Sequence, residues 1–221
     1  MLIKHTKKAL SLAARSSFSF SSPNWGMIDS EEHFDDEPIL NEKAKQLAEA
    51  LSNSRSAICF TGAGLSTFAG VPDFRSSYKT VLPTGPGKWE TEENKKKYTK
   101  KPNIVHAKNA KPTKAHRAIA ELVRKGIITH IVTQNVDGLH RRSGVPESRM
   151  HELHGTINKE RCTKCKKEFI RDTNVRMHAL LKHELDHTTG KFCPCPDRGS
   201  LVDTLVLFGE RLPEGLFDRA R

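Results

Sequence analysis

Three observations predict an α/β fold: a Rossmann-like parallel sheet that carries a small metal-binding module. An apolar, strand-like segment, Ala57-Ile58-Cys59-Phe60-Thr61, runs straight into Gly62-Ala63-Gly64-Leu65-Ser66. After a helical stretch, a second apolar run from Ile127 to Thr133 ends in Gln134-Asn135-Val136-Asp137-Gly138-Leu139-His140. Four of the five cysteines then fall between 162 and 195. Strand, helix, strand with polar motifs at the strand ends is the α/β pattern. Open parallel sheets bind ligands at the carboxyl ends of their strands, so two such motifs converge where the fold predicts a crevice.

The elements follow in order. Residues 1–28 hold no acid and carry Lys4, Lys7, Lys8 and Arg15 among many serines. That composition suits a mitochondrial presequence, and equally a disordered basic tail. An acidic patch from Asp29 to Glu37 reads as linker. Residues 1–38 are therefore expected to be a tail, and 39–221 one domain that contains a module over 160–200. Asn41 to Asn53 reads as a helix with Ala44, Leu47, Ala48 and Leu51 on one face. The first strand and its glycine turn come next, with a short helical turn after them. Residues 76–111 are polar, lysine-rich and broken by prolines, which predicts a long surface loop. Thr113 is placed to cap a helix that stops at Gly126. Thr204 to Phe208 reads as a last strand, and Pro213 as a helix start.

A chain of 221 residues suffices for one good-sized domain, or one domain plus a small module. No apolar run is long enough to span a bilayer as a helix. The formal net charge is +11, and much of it lies between Lys88 and Lys125. That segment reads either as a solvated loop or as a patch for chromatin or nucleic acid. Few aromatic residues interleave its lysines, which disfavours stacking on single strands. Five clustered cysteines do not make a secreted disulfide framework. Cys59 lies inside a strand and reads as a core thiol.

Four groups carry chemistry. Glycine before a helical turn lets backbone amides approach an anion closely, although Thr67 stands where a full G-x-G-x-x-G would place glycine. Asp73, Phe74 and Arg75 follow Pro72, and a buried Asp and Arg must be paired or serve a ligand. Cys162-x-x-Cys165 with Cys193 and Cys195 fits one structural zinc ion. The second pair, Cys-Pro-Cys, is one residue tighter than the usual spacing, so His183 or His187 is an alternative ligand. Four thiolates leave no open position for catalysis. His154, in Glu152-Leu153-His154-Gly155, is suited to act as a general base near neutral pH. His151 and His154, three apart and near the cysteines, are a second metal-ligand possibility.

Taken in order, these motifs resemble the sirtuins, NAD-dependent protein-lysine deacylases. The resemblance rests on Gly62-Ala63-Gly64-x-Ser66, Val71-Pro72-Asp73-Phe74-Arg75, Thr133 to His140, Glu152-Leu153-His154-Gly155, Cys162-x-x-Cys165 and Phe208-Gly209-Glu210, over about residues 40–221. Arg142-Ser143-Gly144-Val145-Pro146 and Asp203-Thr204 resemble the class IV branch, whose typical members are nuclear and chromatin-associated.

The resemblance implies NAD and one structural zinc as cofactors, and acylated lysines of proteins such as histones as substrate. It places Gly62, Ala63, Gly64 and Ser66 at the NAD diphosphate and ribose. Asp73, Phe74 and Arg75 would hold the cofactor, with Phe74 near the nicotinamide. Gln134, Asn135 and Asp137 would contact the nicotinamide ribose and carboxamide, and His154 would be the general base. In the family the acyl oxygen attacks the ribose carbon that bears nicotinamide. The histidine then deprotonates a ribose hydroxyl, and an O-acyl-ADP-ribose and free lysine leave. Burying the ring and excluding water fits that chemistry.

Sirtuins continue past Phe-Gly-Glu with strands and helices that complete the sheet and hold the adenosine half of NAD, whereas this sequence stops at Arg221. With three good strands, an incomplete sheet and weak activity are expected. The rival within the enzyme class is mono-ADP-ribosyl transfer. The rival outside it is a non-catalytic zinc- and chromatin-binding scaffold. The class IV likeness points to the nucleus, and the N-terminal segment leaves the mitochondrion as the alternative.

Overall fold

Asp36 starts the first helix, α1 (Glu37–Asn53), by accepting the Ile39 N–H at 3.1 Å, with a proline in the first turn. This side-chain cap satisfies one of the orphan donors of the helix start, so α1 begins four residues before the sequence reading, inside the supposed linker. No residue of α1 is buried, and Leu47 on its apolar face is 62% exposed. The computed structural model describes residues 32, 34–77, 79–88, 90, 105–107, 109–176, 187–207 and 209–212. These lie in the unit Glu31–Arg221. The presequence-like segment, Lys95 to Lys97, Lys100, Lys101, His183, Phe208 and the helix at Pro213 lie outside them.

Strand β1 (Ala57–Thr61) pairs in parallel with β2 (Ile128–Thr133), and β2 with β3 (Met150–Glu152), giving the order β1-β2-β3. The Thr61, Thr133 and Glu152 ends align across the sheet. Between β1 and β2 runs α2 (Lys114–Arg124), capped by Thr113 and followed by Gly126 at φ 74°. Here the cap and stop signals of the sequence hold. Its Ala120 and Val123 pack on Ile128, Ile131, Val145 and Met150, with Ala57, Cys59, Ile119 and Leu122 at the margin. Ile131 is fully enclosed. Burying a side chain of that size contributes about 2 kcal/mol. On the other side of β1, Ile58 and Phe60 are 53% and 61% exposed.

The third parallel strand is β3, which the sequence reading did not anticipate. The predicted strand at 204–208 is corrected: Thr204 to Leu207 are irregular, and the strand is β7 (Ser200–Asp203) in a different sheet. That second sheet is antiparallel, in the order β5-β4-β7-β6, with β4 (Lys159–Cys162), β5 (Glu168–Ile170) and β6 (Thr188–Phe192). Among the described residues its apolar cluster is Cys162, Cys193 and Leu201, with Phe169 and Cys195 partly covered. Buried Glu160 adds ion pairs to Arg171 at 2.6 Å and Lys191 at 2.9 Å. So small an apolar core needs a further cross-link.

Candidate active site and metal centre

At the end of β1 the chain turns through Gly62 into a 3-10 helix, Ala63–Ala69, which the sequence reading gave only as a short helical turn. Ser66 and Thr67 point inward and are buried. Ser66 Oγ donates to Asp137 Oδ2 at 2.7 Å, and the other Asp137 oxygen accepts the Leu139 N–H at 2.8 Å. Asn135 Nδ2 donates to the Gly62 carbonyl at 3.0 Å and to Ser66 Oγ at 3.3 Å. The ends of β1 and β2 thus bring Gly62, Ser66, Asn135 and Asp137 into one hydrogen-bonded group. Among the described residues, a side chain at Gly62 or Gly64 would meet open space.

His154 joins from the end of β3. Its Nδ1 lies 3.0 Å from the Gln134 carbonyl oxygen. A carbonyl can only accept, so Nδ1 carries the proton and Nε2 presents a lone pair. The turn that holds the ring depends on Gly155, at φ 69°, where a side chain would overlap the Thr204 carbonyl oxygen. Val206 N–H donates to the His154 carbonyl at 3.1 Å, and Leu153 N–H to that of Thr133 at 2.9 Å. The ring is therefore fixed from both sheets.

Asp73, Phe74 and Arg75 depart from expectation. Asp73 accepts the Ser76 N–H at 3.1 Å and the Ser76 hydroxyl, closing a local turn. Phe74 is 40% exposed and Arg75 is exposed, so no buried Asp and Arg pair forms here. The turn made by Asp73 aims the next two side chains outward.

The four sulfurs of Cys162, Cys165, Cys193 and Cys195 all lie within 4.8 Å of one another. Cys162 to Cys195 is 3.9 Å and Cys165 to Cys193 is 3.7 Å. A tetrahedral zinc with Zn–S bonds of about 2.3 Å needs sulfur separations of about 3.8 Å. The Cys-Pro-Cys pair therefore reaches the required geometry, and the four cysteines are placed to bind one zinc ion. Burial pushes the Cys162 thiol up, but N–H groups of Cys165 and Lys164 and neighbouring sulfurs outweigh it and set it to about 6. Burial and the adjacent thiols push Cys193 up to about 12. Four thiols this close keep part of their protons until a cation takes their place. His187 is not a ligand, because its Nδ1 and Nε2 lie 2.8 Å from Asp203 and Glu210. His151 stacks beside His130 at 5.4 Å, away from the sulfurs.

Sequence reasoning missed the support behind Asn135. Thr61 Oγ1 donates to Thr133 Oγ1 at 2.8 Å and meets His140 Nε2 at 2.8 Å, and Thr133 Oγ1 accepts the Asn135 N–H at 3.1 Å. A threonine closing each of two parallel strands, both followed by polar motifs, was the available signal.

A glycine turn and a Gln-Asn-x-Asp loop at adjoining strand ends, a histidine presented from the third strand and a four-cysteine antiparallel module define an α/β protein with a cysteine cluster placed to bind a metal ion. The chain belongs to the Sir2 family, whose profile matches residues 62–221. It is 35% identical over 199 residues to the NAD-dependent protein deacetylase Sirt6 of Drosophila melanogaster, covering 86% of this chain and 57% of that protein. It is 38% identical over 185 residues to the NAD-dependent protein deacetylase sirtuin-7 of Bos taurus, covering 82% of this chain and 42% of that one. A solved structure of Sir2 with a p53 peptide and NAD+ superposes with a TM-score of 0.51 at 30% identity, over 80% of this chain and 69% of that one. The chain thus spans about half the length of the curated relatives it matches.

Proposed function

We propose that this chain carries the catalytic centre of an NAD-dependent protein-lysine deacylase. The reaction consumes NAD, water and an acylated lysine, and yields nicotinamide, free lysine and O-acyl-ADP-ribose. The observation that carries the reading is His154, its Nδ1–H held by the carbonyl of Gln134, the residue next to Asn135 in the group of Gly62, Ser66, Asn135 and Asp137. The dinucleotide fits the open approach to Gly62 and Gly64, and when bound it supplies the ribose carbon and the nicotinamide leaving group. Gly62, Ala63, Gly64 and Ser66 line its diphosphate and ribose. Gln134, Asn135 and Asp137 orient the nicotinamide ribose and carboxamide, and the loop of Asp73, Phe74 and Arg75, whose last two side chains are exposed, helps hold the cofactor. His154 Nε2 takes a hydroxyl proton as general base, a role its fixed tautomer suits.

Histones and other nuclear proteins are the proposed substrates, and the basic segment 88–125 the proposed chromatin contact. The class IV likeness and the net charge of +11 support this, and a tagged chain found in mitochondria would overturn it.

Nicotinamide release with NAD and an acetyl-lysine histone peptide tests the reading beside His154→Ala. Peptide-dependent release is expected, with formation of free lysine and O-acyl-ADP-ribose falling at least about 100-fold in the variant, because His154 acts after nicotinamide has left. Release independent of peptide would mean ADP-ribosyl transfer. No release from a folded, zinc-loaded chain would favour the non-catalytic scaffold.

A further inference from the structure

Thr61, Thr133 and His140 are almost fully buried, at 6%, 2% and 2% exposure, and none of them belongs to the machinery assigned above. They form a chain of three buried polar groups. One end of it is the imidazole of His140, in the short helix α3 (Leu139–Arg142), and the other is the backbone N–H of Asn135. Among the described residues, His140 Nδ1 has no partner. A buried N–H without an acceptor is rarer than a bare lone pair, which puts the proton on Nε2. The donors then converge on Thr133: His140 Nε2–H donates to Thr61, Thr61 O–H donates to Thr133, and Thr133 also accepts the Asn135 N–H. The ring of His116 packs edge-on 5.0 Å from His140 and blocks its other side. Burial and His116 push the His140 pKa down to about 4, so the imidazole stays neutral at working pH.

We propose that His140, Thr61 and Thr133 are positioning residues that fix the Asn135 backbone, and through it the side chain bonded to Gly62 and Ser66. The register supports this. Thr61 and Thr133 face each other at the last paired position of β1 and β2, and the Gln134 N–H donates to the Thr61 carbonyl at 3.0 Å. Backbone and side chain of one threonine pair thus lock both residues that open the Gln134-Asn135 motif. The role in catalysis rests on the deacylase reading, whereas the role in placing Asn135 does not.

Two arms separate these. In the first, nitrogen-15 NMR of the wild-type chain reads the His140 tautomer, and the Asn135 backbone and side-chain amides are compared with those of Thr61→Val. The expected result is an Nε2–H imidazole that stays neutral at pH 6, and Asn135 signals that move in Thr61→Val and return in Thr61→Ser. An Nδ1–H tautomer in the wild type, or unmoved Asn135 signals in a folded Thr61→Val, would overturn the proposal. The wild-type tautomer decides even where the valine variant does not fold. In the second arm, Thr61→Val raises the KM for NAD about tenfold with little change in the KM for acyl peptide, as expected for a lost hydrogen bond at the cofactor side. A fall in melting temperature with both constants unchanged would make the threonines merely structural. Absent nicotinamide release by the wild type would sink the deacylase reading and leave the NMR arm to judge the placement of Asn135.

Discussion

Asp137 shows how one carboxylate can hold a site together. Each of its oxygens has a different donor, the Ser66 hydroxyl and the Leu139 N–H, and the side chain is buried. Asp137→Asn can keep the Leu139 N–H on its amide oxygen only by turning NH2 toward Ser66, whose hydroxyl must then accept rather than donate and loses a charge-assisted bond. The variant is expected to lose about 1–3 kcal/mol of stability in urea unfolding and to weaken NAD binding. Unchanged stability would mean that the Ser66 contact contributes nothing to the fold. At this scale the sequence was most legible. Gly62, Ser66, Asn135, Asp137 and His154 all stand at strand ends, because their residue types have little use elsewhere in an apolar sheet. For Asp73 and Arg75 the sequence left a mutual pair and a ligand role both open, since nothing in their neighbours signals that Asp73 bonds Ser76. Thr61 and Thr133 were legible only as strand residues, because a hydroxyl pair across strands appears only once register is known.

The clasp made by His187 belongs to the scale of elements. It ties the start of β6 to Asp203 at the end of β7 and to Glu210 beyond it, each at 2.8 Å. Arg176 also reaches Asp203, at 3.2 Å. Burial alone would lower the His187 pKa, but the hydrogen bonds from Asp203 and Glu210 outweigh it and raise it above 6.5. The charged imidazolium therefore stabilises the folded state fully below pH 6.5, and that contribution fades as pH rises through the raised folded value. Glu210 is held below the usual carboxylate range by His187, so its share fades as pH falls through that lowered value. Denaturation of His187→Gln against wild type should show a stability gap that narrows from pH 6 to pH 9. A gap of constant size would show that the ring acts while neutral. Element boundaries were less legible than residues. The run from Leu201 to Leu207 is β-prone throughout, and only pairing with β4 and β6 ends the strand at Asp203. Strand β3 was invisible because three residues, two of them His151 and Glu152, give no apolar run.

For the whole molecule, the question is what the metal module does for a site on the other sheet. The parallel sheet has its own apolar core, centred on Ile131 and Val123. Among the described residues the antiparallel sheet buries Leu201 and part of Phe169 beside the cysteines, so metal binding is expected to supply much of its folding free energy. The two meet at a few points. Thr204, just past β7, lies against Gly155, and Val206 bonds the His154 carbonyl. Arg141 and Lys159 both reach Glu152, at 3.0 and 3.7 Å, and so join β3 to β4. Chelation should therefore act at a distance. Hydrogen exchange in β4 and β7 is expected to lose protection on treatment with a strong zinc chelator, while amides of β2 and α2 keep theirs. Formation of free lysine should fall with it, because the His154 turn loses the support of Val206, and added zinc should restore both. Protection that survives in β4 and β7 after the metal is gone would show that Glu160 and its two cations suffice to fold the module. In that case the four sulfurs would be an accessory to the site rather than its outer wall.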